Sequence, residues 1–177
     1  FADEVFDVVT CNLALAEMED PARVMRDFAR VCKPDGRVLV TVPLSGTFEE
    51  FHDLLREVLI ALERKEALAR LDAYLAARPT ARALRGWLEG AGLRDVTIDR
   101  EEYQLLFKSS SEFFFAPVIE FGPLTAWKEI AGGSGEAMQE VFWRAKEALR
   151  SAIGVRSTYQ RLVFDGDRSH EFNEPVQ

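Results

Sequence analysis

Few side chains in this sequence have the types and spacing that announce chemistry. His52 and His170 are the only histidines. Neither has a serine, cysteine or carboxylate arrangement that would make a hydrolytic triad. His52 falls on the polar side of an amphipathic run, so solvated surface is the default expectation for both. Cys11 and Cys32 lack metal-ligand spacing and read as two reduced, buried thiols of a cytosolic protein. No metal site is expected. The Gly-rich run Gly132 to Gly135 precedes a helical pattern, which tempts a phosphate-loop reading. It follows a helix and not a strand, so a flexible connector is the better account.

The elements that must position these residues are written more clearly. "FDVVTCN", Phe6 to Asn12, is a short β-branched run, read as a strand covered on both faces. Asp20-Pro21 supplies an N-cap carboxylate and a proline at the first helical position. Val24, Phe28, Val31 and Cys32 then recur at helical spacing, with Lys33 in the last turn. Pro34 cannot continue the helix, Gly36 permits a left-handed turn, and "RVLVTVP" follows as a second buried strand. Strand, helix, turn and strand make a βαβ unit with parallel strands and a right-handed crossover.

Beyond Pro43, Thr47 and Glu50 have the spacing of a capping box ahead of an amphipathic helix with Phe48, Phe51, Leu55, Val58, Leu59 and Leu62. Leu68, Leu71 and Leu75 mark a further helix, and Thr80 starts another that buries Leu84, Trp87 and Leu88. Arg94 to Phe107 reads as extended. Ser109 to Glu112 is a second capping box, opening short helices interrupted at Pro117 and Pro123. Met138, Val141, Phe142, Ala145 and Leu149 give a clear helix. "VRSTYQRLVF" alternates enough to be an edge or antiparallel strand, and the tail from Asp165 is polar and loose.

Composition sets the outer bounds. The chain has 177 residues, 47% hydrophobic and 29% charged, which suits one folded domain. A formal net charge of −8 argues against a nucleic-acid partner without a local basic patch. No uncharged run is long enough to cross a bilayer, so no membrane partner is expected. The opening "FADEVFDVVTCN" runs straight into a strand, which leads to the expectation of a chain cut from something longer.

The wording resembles the second half of a class I S-adenosylmethionine-dependent methyltransferase of the type 11 kind. Phe6-Asp7-Val8-Val9, Asn12, Ala14-Leu15, Asp20-Pro21 and Arg30 to Arg37 carry the match, densely to Pro43 and by topology beyond. The family writes its hinge Lys-Pro-Gly-Gly, and here Asp35 replaces the first glycine. The resemblance implies an α/β, Rossmann-like fold with sheet order 3-2-1-4-5-7-6. This chain would supply strands 4, 5, 7 and 6, flanking helices and a helical lid insertion. The family's G-x-G-x-G loop and its ribose-binding acid are not among these residues. A partial methyltransferase domain over residues 1–165 with a polar tail over 166–177 is therefore expected, inactive alone.

S-adenosylmethionine is the cofactor that the resemblance implies. It puts Asn12, Leu13, Ala14 and Leu15 beside the cofactor's methionine end and the acceptor. Relatives carry an aromatic residue or histidine where this chain has Ala16 and Glu17. His52 lies on the helix in the family's lid position, which makes it a candidate base and substrate contact. Phe113, Phe114 and Trp127, with Phe115 and Phe121, lie in the insertion that covers the acceptor in relatives; core packing is the leading account, substrate lining the other.

The catalytic residue is unassigned, and methyl transfer from a sulfonium needs none, because orientation alone can supply roughly 7 to 11 kcal/mol of the barrier. The acceptor is expected to be a small molecule or carrier-bound. The layout after Pro43 resembles, loosely, the malonyl-carrier-protein methyltransferases of biotin synthesis, with Arg78, Arg82 and Arg85 as candidate carrier contacts. The rival readings are a non-catalytic interaction module on the same fold and a nicotinamide-dependent dehydrogenase.

Overall fold

Asp20 accepts a hydrogen bond from the Arg23 amide at 2.9 Å, and with Pro21 behind it this cap starts the first helix where the sequence places it. Such a cap is worth about 1 kcal/mol. The computed structural model describes residues 1–15 and 18–151, and the backbone of 155–167. Two units divide the chain. The first comprises Phe1–Ser45, Arg78–Glu102 and the last strand from Gln160; the second comprises Gly46–Ala77 and 103–159.

In the first unit the order is β1 (Phe6–Asn12), α1 (Pro21–Val31) and β2 (Cys32–Pro43). The strands β1 and β2 are parallel, as the βαβ reading requires, with Val9 opposite Val38 and Asn12 opposite Thr41. The orphan carbonyls of Arg30 and Val31 at the end of α1 accept the amides of Glu4 and Val5, at 3.0 and 2.9 Å. Val38, Val40 and Val42 point alternately into the unit's core, where they meet Met25 and Ala29 of α1, and Leu84 and Leu88 of α4 (Ala81–Gly90). Thr80 caps α4 through the Ala83 amide at 3.2 Å.

The extended run Arg94 to Phe107 is β3, and β4 covers Val155–Asp167. The sheet order is β1-β2-β4-β3, with β4 antiparallel to β2 from Arg37 opposite Asp167 to Pro43 opposite Arg161. This is the 4-5-7-6 order expected, and the antiparallel reading of the last strand holds. The tail expected to be loose from Asp165 begins inside β4 instead, where Asp165, Gly166 and Asp167 pair with Leu39, Val38 and Arg37; residues 168–177, with His170, lie outside the described residues, as do Ala16 and Glu17.

Three local expectations need correction. First, β1 is not covered on both faces: it lies at the sheet's edge, Val8 is 50% exposed, and only Cys11 of the strand is buried. Second, the Lys33-to-Gly36 hinge does not use Gly36 for its left-handed residue. Asp35 takes that conformation, at φ 62°, and the four residues already run as the start of β2. Gly36 is required for space instead, because a Cβ there would lie 2.7 Å from Cys32 Sγ and 2.9 Å from the carbonyl oxygens of Asp7 and Lys33. Lys33 falls beyond the helix, where it pairs with Asp7 at 2.9 Å.

Third, Thr47 does not cap α2 (Glu49–Ala61). Phe48 holds the cap position in a left-handed conformation with no side-chain cap bond, and both Thr47 and Phe48 are buried.

The second unit is helical: α2, α3 (Lys65–Ala77), α5 (Ser110–Phe115), α6 (Pro117–Glu120), α7 (Leu124–Ala131) and α8 (Glu136–Ser151). Ser109 caps α5 through the Glu112 amide at 3.1 Å, as its spacing predicts. Phe51, Leu55, Leu59, Leu71, Phe113, Trp127 and Val141 form one closed apolar core. Gly132, Gly133 and Gly135 all take positive φ in the connection from α7 to α8, a conformation that favours glycine.

Candidate functional site

Because β1 and β2 are parallel, their carboxyl ends lie on one side of the sheet, where open α/β sheets bind ligands. Asn12 ends β1 and is exposed. Leu13 follows with φ 60°, left-handed for a residue that has no intrinsic reason to be there. Its amide donates to the Thr41 carbonyl at 2.9 Å and to Thr41 Oγ1 at 3.1 Å. The Thr41 hydroxyl in turn donates to Asn12 Oδ1. Backbone strain of this kind persists only where neighbours over-determine it, and it concentrates at binding sites.

Ala14 is exposed, while Leu15 turns fully inward to the core that Val38 and Val40 also line. Cys11 lies beneath this loop. Burial pushes its thiol above the ordinary range, with the Ala14 and Leu15 amides pulling the other way. A thiol so held stays protonated and is no nucleophile. The four residues Asn12 to Leu15 are thus brought together at one sheet end, with two of them facing outward. Thr41 is the participant that sequence reasoning missed. Its signal was present: it is the single polar residue in "VLVTVP", opposite Asn12 in the register.

The other candidates gather in the second unit. His52 is not on a solvated face, as its spacing suggested, but 3% exposed, because Trp127 and Tyr74 close over it. Trp127 Nε1 donates to His52 Nε2 at 3.0 Å. A neutral imidazole has one lone-pair nitrogen, so its proton is on Nδ1 and no lone pair is left to act as a base. Phe113 and Trp127 stack with centroids 6.0 Å apart and are wholly enclosed. Phe114 is half-buried, edge-on to Phe51 at 5.7 Å and to Phe113 at 5.1 Å. Phe115 and Phe121, by contrast, are exposed.

Arg85 is held by the Val96 carbonyl at 3.2 Å and by Glu89 at 3.5 Å, as on an ordinary helix face. Among the described residues no cluster of three or more His, Cys, Asp or Glu could hold a metal ion, and no helix is long and apolar enough to cross a membrane.

Residues 1–98, more than half of the 177, match the model of a methyltransferase domain family. The chain belongs to that family. Among curated relatives, the demethylmenaquinone methyltransferase of Mycobacterium sp. (strain KMS) is 34% identical over 98 residues, 52% of this chain and 40% of the relative. The ubiquinone/menaquinone biosynthesis C-methyltransferase UbiE of Proteus mirabilis (strain HI4320) is 30% identical over 106 residues, 55% of this chain and 42% of the relative. The chain therefore spans about two-fifths of the length of the curated relatives it matches.

Among solved structures, the YcgJ protein of Bacillus subtilis superposes with a TM-score of 0.53 at 14% identity, covering 96% of this chain and 67% of that one. BH2331 of Bacillus halodurans C-125 gives 0.50 at 17% identity, covering 96% and 73%. These likenesses show the fold, a Rossmann-like α/β methyltransferase architecture with a partial sheet and flanking helices. S-adenosylmethionine is the methyl donor of this family. The family match covers β1, β2 and the Asn12–Leu15 loop, so the sheet end just described lies inside the recognised domain.

Proposed function

We propose that this methyltransferase domain serves S-adenosylmethionine-dependent methyl transfer to a small apolar acceptor of the quinone class. The observation that carries the reading is the Asn12–Leu15 loop, pinned to Thr41 at the carboxyl ends of two parallel strands inside the family match. In this reading the loop of Asn12, Leu13, Ala14 and Leu15 lies beside the cofactor's methionine end, with Asn12 and Ala14 facing outward and Leu15 anchoring it in the core. The two relatives named for quinone substrates favour that acceptor class for this chain. We read the partial domain as extending through β4, and two free, buried cysteines suit a reducing, cytoplasmic setting.

Within the second unit, taken by itself, the aromatic group is our candidate for an apolar lining. Phe114 is the partly exposed ring that can touch an acceptor, and Phe51, Phe113 and Phe142 pack against it. With the His52 lone pair occupied by Trp127, the chemistry rests on orientation, for which the activated sulfonium is suited.

Calorimetric titration of S-adenosylmethionine and S-adenosylhomocysteine into the protein made from its complete reading frame tests this. Binding, followed by label transfer from methyl-labelled donor to a naphthohydroquinone, is the expected result. Transfer to malonyl carrier protein and not to the quinone would reassign the acceptor. Binding of neither nucleoside would leave an interaction module on the methyltransferase fold.

A further inference from the structure

The contacts around Thr41 fix more than the loop's position. A threonine hydroxyl has one proton to give and two lone pairs to receive. The Leu13 amide takes one lone pair of Thr41 Oγ1, and the hydroxyl proton goes to Asn12 Oδ1. Asn12 thus turns its carbonyl oxygen toward β2 and its NH2 group away from it. The residue is exposed at the end of β1, and no described residue accepts from that NH2. A side-chain amide at a strand end ordinarily has two orientations open to it. Here the bond from the hydroxyl holds one.

We infer that Asn12 presents its amide NH2 as a hydrogen-bond donor to an oxygen acceptor on the bound ligand, with Thr41 as the positioning residue that sets this polarity. This rests on the proposed reading of the sheet end as ligand-facing. The chemistry sought is a carboxylate or a carbonyl or phenolic oxygen. It has two sources in a methyl transfer, the carboxylate of the donor's methionine end and an oxygen of the acceptor. An amide donor to a charged oxygen is the stronger of the two interactions. Thr41 is separable from the fold itself, because its backbone carbonyl holds the Leu13 amide at 2.9 Å whatever the side chain is.

Asn12→Asp is the informative variant. It keeps an oxygen for the Thr41 hydroxyl and replaces the outward donor by a negatively charged acceptor. In the full-length protein, affinities for S-adenosylhomocysteine and for 5′-methylthioadenosine, which has no carboxylate, are measured by calorimetry beside melting temperature. Asn12→Asp is expected to weaken S-adenosylhomocysteine about tenfold or more and to leave 5′-methylthioadenosine within twofold. Thr41→Val is expected to weaken S-adenosylhomocysteine about threefold with an unchanged melting temperature, and Thr41→Ser to restore it.

If both nucleosides are unaffected but KM for 1,4-naphthohydroquinone rises about tenfold at unchanged kcat, the partner oxygen belongs to the acceptor and the inference stands. Changes under twofold in every one of these quantities would overturn it. So would equal losses for both nucleosides with a lowered melting temperature, which mark a structural role. Failure of the wild-type protein to bind either nucleoside removes the underlying reading, and is told apart from these by the control.

Discussion

Trp127 donates its indole N–H to Nε2 of His52 at 3.0 Å, with both side chains sealed inside the helical unit at 0% and 3% exposure. A buried acceptor that loses its donor costs about 1–3 kcal/mol, whereas removing both partners together costs much less than the sum. Trp127→Phe should therefore destabilise the protein by about 2–4 kcal/mol, the smaller ring adding a packing loss. His52→Phe with Trp127→Phe should show a favourable coupling of about 1 kcal/mol or more in a double-mutant cycle by denaturant unfolding. Strictly additive losses would mean that the bond contributes nothing.

Adjacent residues at the α1–β2 hinge should respond to different extents. Gly36→Ala puts a methyl group within 2.9 Å of two backbone carbonyl oxygens and 2.7 Å of Cys32 Sγ, where little can give. A loss of about 1–3 kcal/mol is expected. Asp35→Gly relieves a left-handed aspartate at φ 62° and costs unfolded-state entropy in return, so the net change should lie within about 1 kcal/mol of zero. Thermal melts of the two variants decide it; equal destabilisation would refute the assignment of the left-handed position to Asp35.

This hinge also shows what the sequence could and could not tell. Lys-Pro-Asp-Gly announced a break between helix and strand, because Pro34 removes a donor and glycine loosens the backbone. Why position 36 must be glycine depended on Cys32 and Asp7 crowding it, and that crowding is tertiary. The Asp20, Thr80 and Ser109 caps were legible because a cap is local: the acceptor and the amide it serves are three residues apart. Thr47 had the same spacing, yet the chain turns at Phe48, whose ring the unit's core draws inward. His52 was misread for the same reason, since the polar side of α2 meets Trp127 and Tyr74 instead of water. In the candidate site, Asn12 to Leu15 came from motif wording, while Thr41 became visible only once the register set it opposite Asn12.

The exposed pair of Asp7 and Lys33 makes a specific pH statement. The hydrogen bond from Lys33, with its positive charge, holds the Asp7 carboxyl below the usual carboxylate range. A carboxylate depressed in the folded state adds stability above its unfolded value and loses it as pH falls through the folded value. Asp7→Asn should thus lower the melting temperature slightly near neutral pH and make no difference once the medium is more acidic than the depressed value. Added salt should shrink the neutral-pH difference, because both groups are solvent-exposed. A difference that survives both acid and about 1 M salt would show that Asp7 acts through packing.

The edge position of β1 predicts association of the chain with itself. Among the described residues β1 pairs with β2 alone, so its other side leaves backbone amides and carbonyls without a ladder. Val5 and Val8 are 44% and 50% exposed, and an apolar hollow of about 470 Å³ lined by Phe1, Phe6, Val8 and Phe28 lies beside them. Such an edge templates pairing with another strand unless a charge blunts it. Sedimentation velocity of the 177-residue chain should show a weight-average mass that rises with concentration. Val8→Lys adds a cation on the exposed strand, far from the Asn12 end of the register, and should return the chain toward the monomer without lowering its melting temperature. A wild-type chain that stays monomeric across the concentration range would show that the edge is already protected.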